Sequence, residues 1–135
     1  MSVQGGVTAE TTTDATPRKV AAWNTDGIAN GMTIDSTTGN DITCDIAGTY
    51  QVNVSCSFSG SAAKIFEFEL YVSGAASGFA VQRTIGAGGE VGAASLSGIV
   101  TVSAAATLEL YHRSTNGGTA FTATEAQMTA HRISN

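Results

Sequence analysis

Positive charge is scarce in this sequence. Lysine and arginine together number 6 against 11 aspartate and glutamate residues, which gives a formal net charge of -5 over 135 residues. Because proteins bind nucleic acid by neutralising its phosphates with lysine and arginine, a nucleic-acid partner is not expected. The chain also lacks the high net charge of disordered sequences, and its length suits one domain with its own core.

Cysteine and histidine are also few, with two residues of each type. Cys44 and Cys56 are separated by eleven residues, too far apart for a Cys-x-x-Cys redox or zinc motif. His112 and His131 have no aspartate or glutamate at a ligand-like spacing near both. These counts exclude a disulfide-stapled scaffold and argue against a metal or cofactor, and they favour two buried free thiols that pack as small hydrophobes.

Long apolar runs and helical periodicity are absent as well. No stretch reaches the roughly 20 apolar residues of a membrane helix, and the first residues lack the pattern of a signal peptide, so no membrane partner is expected. Short runs of alternating or β-branched residues recur instead, separated by clusters of Gly, Asn, Asp and Ser, and the only proline is Pro17. This pattern predicts an all-β chain.

The alternating runs predict roughly eight to ten strands. In the clearest, at 50–58, the residues Tyr50, Val52, Val54, Cys56 and Phe58 fall on one face and should point into the core. Further strands are predicted at 19–23, 32–34, 42–46, 64–72, 79–85, 94–102, 107–113 and 120–133. Short strands separated by turns at regular intervals are typical of an antiparallel sandwich or jelly roll.

The first 17 residues differ from the rest because they are polar, rich in threonine and contain a Gly-Gly pair. We therefore expect an extended N-terminal arm at 1–17, outside the core, followed by a domain at 18–135. The predicted fold class is all-β, an antiparallel two-sheet jelly-roll sandwich with an extended N-terminal arm.

Three stretches resemble parts of the tumour necrosis factor and complement globular-head superfamily. GNDITCDIAGTYQVNVSCSF resembles its cysteine-bearing strand, Gly-x-Tyr corner and following alternating strand. AASLSGIVTVSAAATLELYHR is similar to the family's next strand pair, and FTATEAQMTAHRIS is similar to its final strand. This chain departs from the pattern with Ala105-Ala106 where Gly-Asp is usual and with Met128-Thr129-Ala130 in place of a closing aromatic-Gly pair. The resemblance implies a homotrimer packed around a three-fold axis, with one sheet facing the neighbouring subunits.

The resemblance also implies that the outward faces of three strands line this axis. Tyr111 is the best single candidate for a packed contact, because Leu108 and Leu110 beside it fill the core and tyrosine is enriched at interfaces. In the same arrangement Cys44 and Cys56 lie on opposite sheets, so a disulfide across the core stays an alternative to free thiols. The expected trimer-interface residues are Gln51, Asn53, Ser55, Thr107, Glu109, Tyr111, Arg113, Gln127, Thr129 and His131.

Nothing in the sequence is arranged for catalysis. It has no Gly-x-Ser-x-Gly elbow, no phosphate-binding glycine loop and no nucleophile with a nearby base, so neither an enzyme nor a small-molecule substrate is expected. DSTTGND at 35–41 and NTDG at 24–27 offer oxygen ligands of the kind that calcium takes, but Asx turns explain both. His112 and His131 would respond to pH together if adjacent strands placed both near the axis.

A structural or binding role is therefore expected. The trimer-forming fold, the composition rich in small residues and the polar arm predict a bacteriophage virion protein, a trimeric decoration or cement protein that stabilises the head by binding the major capsid protein on the capsid surface. The arm would order on binding, through Val3, Gln4, Val7, Thr11, Thr12 and Thr13. The alternative is a fibre-tip or receptor-binding module that recognises a host glycan or protein through NTDGIANG, GAASG and GAGGEVG, and a secreted signalling or lectin-like domain is a third possibility.

Overall fold

A computed structural model describes residues 1–3, 9–12, 16–87 and 89–135. Eleven strands lie in these ranges. No helix in them has the length and apolar character needed to cross a membrane. The strands are β1 (Ser2–Val3), β2 (Ala9–Thr12), β3 (Arg18–Lys19), β4 (Met32–Asp35), β5 (Asp41–Cys44), β6 (Gly48–Gly60), β7 (Ile65–Val72), β8 (Ala75–Thr84), β9 (Val91–Val102), β10 (Ala106–Ser114) and β11 (Thr119–Ser134).

The strands form two antiparallel sheets. The first sheet has the order β1, β11, β6, β9, and β2 also pairs with β11. The second has the order β4, β5, β10, β7, β8, and β3 also pairs with β10. The chain changes sheet on passing from β2 to β3, from β5 to β6, from β6 to β7, from β8 to β9, from β9 to β10 and from β10 to β11. The structure therefore confirms the predicted two-sheet jelly roll.

Alternation of side chains explains how β6 joins the two layers. Tyr50, Val52, Val54, Cys56 and Phe58 are all buried, as the sequence predicts, and the residues between them are exposed or half-buried. Phe58 meets two rings of β7 in the second sheet edge to face. Such pairs add to the burial of apolar area that holds the layers together.

The corner before β6 depends on Gly48. Its φ is 154°, and a Cβ at this position would lie 2.5 Å from the carbonyl oxygen of Ser134 and 2.6 Å from Nε of Arg132. Only glycine permits this approach of backbone to backbone. The Tyr50 hydroxyl then donates a hydrogen bond of 2.6 Å to the carbonyl oxygen of Ile46, which fixes the turn from β5 into β6.

The sandwich is closed on one side by contact between β8 and β9, the edge strands of the two sheets. The ring of Phe79 in β8 covers Gly98 in β9, where an added Cβ would lie 2.6 Å from Cγ of the ring. Glycine is needed here because the large ring of Phe79 approaches the backbone of residue 98 closely.

Some strand bounds differ from the predicted ones. The run at 19–23 forms a strand only at Arg18–Lys19, after which the Val20 N–H donates to the carbonyl oxygen of Leu110 and Trp23 is buried in a loop. Strand β9 begins at Val91 and so includes the end of the GAGGEVGA segment. Burial of an apolar side chain does not require a strand, which is why the alternation at 19–23 overestimates the first element.

The described part of the N-terminal segment belongs to the first sheet. Ser2 and Val3 pair with Gln127 and Ala126, and residues 9–12 pair with 119–122. Met1 is buried in the core. This differs from the expected arm at 1–17 outside the core, because Val3, Thr11 and Thr12 take part in the sheet through their backbones. Gln4, Val7 and Thr13 lie outside the described residues.

Candidate assembly interface

Six of the ten predicted interface residues lie side by side on the outer face of the first sheet. They come from β6 and β11, whose register pairs Gln51 with His131, Asn53 with Thr129 and Ser55 with Gln127. All six side chains are exposed. The structure therefore brings these residues together on one face, as their alternation on the two strands requires.

The other four predicted residues lie on the opposite side of the molecule. Thr107, Glu109, Tyr111 and Arg113 belong to β10, in the centre of the second sheet, and alternate with buried inward residues. Because the two sheets pack with their inner faces together, their outer faces point in opposite directions. The ten residues therefore cannot all line one axis, and the prediction cannot hold for both groups.

These four β10 residues form a network within their own sheet. Lys19 Nζ lies 2.7 Å from Glu109 Oε1, and the Gly74 N–H donates to Glu109 Oε2 at 2.9 Å. Arg113 pairs with the buried carboxylate of Glu67. Charge-assisted bonds of this kind keep half-buried charges paired, so this outer face holds carboxylates and cations that already contact one another.

Tyr111 packs against its own subunit. Its ring stacks on Tyr71 of β7 with centroids 3.9 Å apart and an angle of 15°, and both side chains are half-buried. Because Tyr111 lies on the outer face of the second sheet, it cannot share an axis with the six predicted residues of β6 and β11.

Strand β9 completes the outer face of the first sheet and was not part of the predicted interface. Its register places Ser95 beside Ser55, Ser97 beside Asn53 and Ile99 beside Gln51. The Ser97 hydroxyl donates a hydrogen bond of 2.9 Å to the Asn53 side-chain oxygen. The alternation of small polar and apolar residues at 94–102 is the signal that could have identified these positions.

We call the outer surface of these three strands the assembly face. Glu125 is its only carboxylate and His131 its only imidazole. Between Ser57, Ala93 and Glu125, at one end of the face, the small side chains leave a shallow depression of about 370 Å³. The assembly face consists of Gln51, Asn53, Ser55, Ser57, Ala93, Ser95, Ser97, Ile99, Glu125, Gln127, Thr129 and His131.

The two histidines lie in different sheets. His112 is buried in β10 of the second sheet, and His131 is exposed in β11 of the first. They therefore do not meet on one face, and the expectation that they respond to pH together does not hold in this fold.

Both cysteines are free and buried, as favoured from the sequence. Cys44 belongs to β5 in the second sheet and Cys56 to β6 in the first. Burial raises the pKa of the Cys44 thiol from 9.0 to about 11, which leaves almost none of the reactive thiolate at neutral pH. The alternative of a disulfide across the core is therefore not met in this fold.

The two carboxylates at 35–41 have partners: Asp35 accepts hydrogen bonds from the backbone of its own loop, and Asp41 pairs with Lys19. Hydrogen bonds from the backbone N–H groups of Thr38, Gly39 and Thr37 lower the pKa of Asp35 to about 2. Lys19 Nζ lies 3.1 Å from the Gly39 carbonyl oxygen and 3.4 Å from Asp41 Oδ2. Among the described residues no group of three or more His, Cys, Asp or Glu side chains could hold a metal ion.

The loops proposed for receptor recognition lie at two ends of the sandwich. GAASG begins at Gly74 in the turn after β7, and its other residues, 75–78, belong to β8. This turn and the loop that contains NTDGIANG lie at the end where Val72 pairs with Leu108 and Met32 pairs with Cys44. GAGGEVG follows Thr84, which pairs with Ile65 at the other end. A small glycan therefore could not contact all three loops at once.

Comparison with known proteins supports the fold. No family model matches the chain, and no curated protein matches its sequence. Among solved structures, Eiger TNF from S. frugiperda is similar, with a TM-score of 0.69 at 11% sequence identity, over 99% of this chain and 91% of that chain. At this identity the likeness concerns the fold alone, and the chain has a tumour necrosis factor-like jelly-roll fold.

Proposed function

We propose that this protein assembles as a homotrimer through the assembly face and acts as a non-enzymatic decoration protein on the outer surface of a bacteriophage head, where it binds the major capsid protein. The observation that carries the proposal is the contrast between the two outer surfaces of the sandwich. On the assembly face Glu125 is the one carboxylate among uncharged polar and apolar side chains, whereas the outer face of the second sheet carries Glu67, Glu109, Lys19 and Arg113.

This contrast favours the first sheet as the interface because burying a charge is costly. The centres of protein interfaces are depleted in charged residues for this reason. A neighbouring subunit seated on the assembly face would desolvate hydroxyls and amides, of which Ser97 and Asn53 already bond to one another.

Strand β9 gives a second reason to expect assembly. It lies at the edge of the first sheet and its twelve residues, VGAASLSGIVTV, include no charge and no proline. Val91 and Ile99 in this strand are 60% and 57% exposed. Monomeric proteins usually protect such an edge with charges, prolines or bulges, because it can pair with other chains. A trimer that covers β9 would provide that protection.

The decoration role is based on the trimer-forming fold, the composition rich in small residues and the polar N-terminal segment. Val3, Thr11 and Thr12 lie in strands that pair with β11, so their contribution to capsid binding would be made by residues already held in the sheet. Gln4, Val7 and Thr13 stay proposed capsid contacts.

Sedimentation equilibrium tests the trimer. We expect three times the chain mass for the unchanged protein, and dissociation for Asn53→Arg, which places a charge on the assembly face between Thr129 and Ser97. An unpaired buried charge costs several kcal/mol, enough for more than about a hundredfold loss of association. Ala80→Arg introduces the same charge at an exposed position of β8 in the second sheet and should leave the mass unchanged. A monomeric unchanged protein contradicts the proposal.

Electron microscopy of purified particles tests the location. Density for the protein on the outer surface of the head, at three-fold or quasi-three-fold positions, would support the decoration role. Density confined to the tail would instead support the fibre-tip alternative.

A further inference from the structure

The outer face of the second sheet carries a pair of tyrosines in contact. Tyr71 of β7 and Tyr111 of β10 lie on neighbouring interior strands, where Tyr71 pairs with Glu109 and Tyr111 pairs with Glu69. They are diagonal neighbours on one face, a position from which two aromatic side chains can touch. Their ring centroids are 3.9 Å apart and the ring planes make an angle of 15°. The two phenols are therefore in van der Waals contact, and the backbone pairing of the two strands keeps them there.

This pair differs in exposure from the other side chains that readily lose one electron. Those are one tryptophan, one further tyrosine and two cysteines. Trp23 and Tyr50 are 4% and 1% exposed, and both cysteines are buried. Tyr71 and Tyr111 are half-buried. A small oxidant in the surrounding solution therefore reaches the stacked pair before it reaches any of the others.

Carboxylates lie close to the hydroxyl of Tyr71. Burial raises the pKa of Tyr71, and the negative charge of Glu69 raises it further, with a smaller contribution from Glu67. The phenol therefore keeps its proton at neutral pH. A phenol that loses an electron becomes a strong acid, and a carboxylate beside it can accept the released proton as a general base.

We propose that Tyr71 and Tyr111 form an oxidative cross-linking site, at which a peroxide-driven one-electron oxidant joins the two phenols as dityrosine. Each phenol loses one electron and one proton. The two radicals form a carbon–carbon bond between ring carbons ortho to the oxygens, and the hydrogens on those carbons move to the oxygens as the rings become aromatic again. One hydrogen peroxide accepts the two electrons and two protons and becomes two waters.

The contact between the rings favours a bond within one chain. Two radicals that already touch react without diffusing, which gives them a large advantage over radicals on separate molecules. The bond joins β7 to β10 and closes a loop of roughly 40 residues. Because such a loop restricts the unfolded chain, the cross-linked protein should unfold at a temperature about 10 °C higher.

This site goes beyond the proposed function, since it lies on the second sheet, on the opposite side of the sandwich from the assembly face. A trimer formed through the assembly face leaves the tyrosine pair exposed to the oxidant. Cross-linking and trimer formation can therefore be measured separately, and either can fail without the other.

Oxidation of the full chain tests the proposal. Photo-excited ruthenium tris(bipyridine) removes one electron at a time, and persulfate takes the place of peroxide and is reduced to sulfate. We expect dityrosine fluorescence, a chain mass lowered by two hydrogen atoms, and a linked pair of peptides containing residues 71 and 111 after digestion. The yield within single chains should not depend on protein concentration. Dityrosine that forms only between chains overturns the proposal, and so does an unchanged midpoint of thermal unfolding for the cross-linked chain.

Variants and an unfolded control identify the residues and the cause. Tyr111→Phe and Tyr71→Phe each keep the ring but remove one phenol, and both should abolish the product within the chain. Tyr50→Phe keeps the stacked pair and should leave the yield unchanged. In urea the contact is lost, and the yield within the chain should fall at least about tenfold. An equal yield in urea, or in Tyr111→Phe, would show that the stacked contact does not direct the reaction, which also overturns the proposal.

Discussion

The contact between Gly98 and Phe79 predicts that one added methyl group destabilises the fold. In Gly98→Ala the new Cβ would lie 2.6 Å from Cγ and 2.7 Å from Cδ2 of the Phe79 ring, whereas carbon atoms pack at about 3.5–4.0 Å. Because Cγ is the ring atom nearest to the backbone, rotation of the ring about its own axis does not remove the overlap. The whole side chain has to leave its rotamer or β8 has to move.

The expected magnitude follows from what Phe79 loses. Overpacking of a well-packed site costs about 1–3 kcal/mol. Phe79 is 37% exposed, so it can swing into solvent and forfeit only part of the roughly 1.5–3 kcal/mol that a buried phenylalanine contributes. We therefore expect a loss of about 1–2 kcal/mol in the free energy of unfolding, which corresponds to a fall of several degrees in the midpoint of thermal unfolding. Thermal and urea unfolding are followed by circular dichroism at one protein concentration, because assembly would make the midpoint depend on concentration.

A double-mutant cycle isolates this contact. In the Phe79→Ala background Gly98→Ala has no ring to meet, and alanine should then be as good as glycine or better by up to about 1 kcal/mol, since glycine is unfavourable within a strand. The coupling between the two substitutions should be at least about 1 kcal/mol. If Gly98→Ala destabilises the protein equally with and without Phe79, the reasoning is wrong.

Two further predictions concern the loop at 35–41 and the thiols. The pKa of Asp35 is held at about 2 by backbone hydrogen bonds, below its ordinary 3.8, so this contribution to stability is complete above about pH 4 and is lost as the pH falls toward 2. NMR titration of the Asp35 carboxyl should show that midpoint, and a value near 3.8 would contradict the loop geometry. Because Cys44 and Cys56 are buried and Cys44 has a raised pKa, neither thiol should react with Ellman's reagent at about pH 8 until the protein is denatured. Rapid reaction of the native protein would show that the core is open.

The alternation of apolar and polar residues is sufficient to predict most of the strands and the direction of their side chains. The period of two in β6 and β7 identifies Tyr50, Phe58 and Phe68 as core residues, because it is a property of each strand alone. The turn at Gly48 was located in the same way, by a residue that interrupts the alternation. The chemistry of the assembly face on β6 and β11 also follows from the residues between the buried ones.

Local pattern does not show which sheet a strand joins. Tyr111 alternates correctly with Leu110, yet it lies on the far side of the molecule from Asn53, because β10 pairs with β5 and β7 and not with β6. The pattern of one strand distinguishes its inward side chains from its outward ones, but it does not show with which distant strands it pairs.

The sequence by itself determined an all-β chain, the inward and outward residues of its longer strands and the placing of both cysteines in the core. Only the tertiary structure decided that the uncharged residues of β6, β9 and β11 form one surface. It also decided that the start of the chain pairs with β11 and that the rings of Tyr71 and Tyr111 stack on each other. The reason is physical: alternation arises within a strand, whereas a surface or a ring stack arises from contacts between residues far apart in sequence.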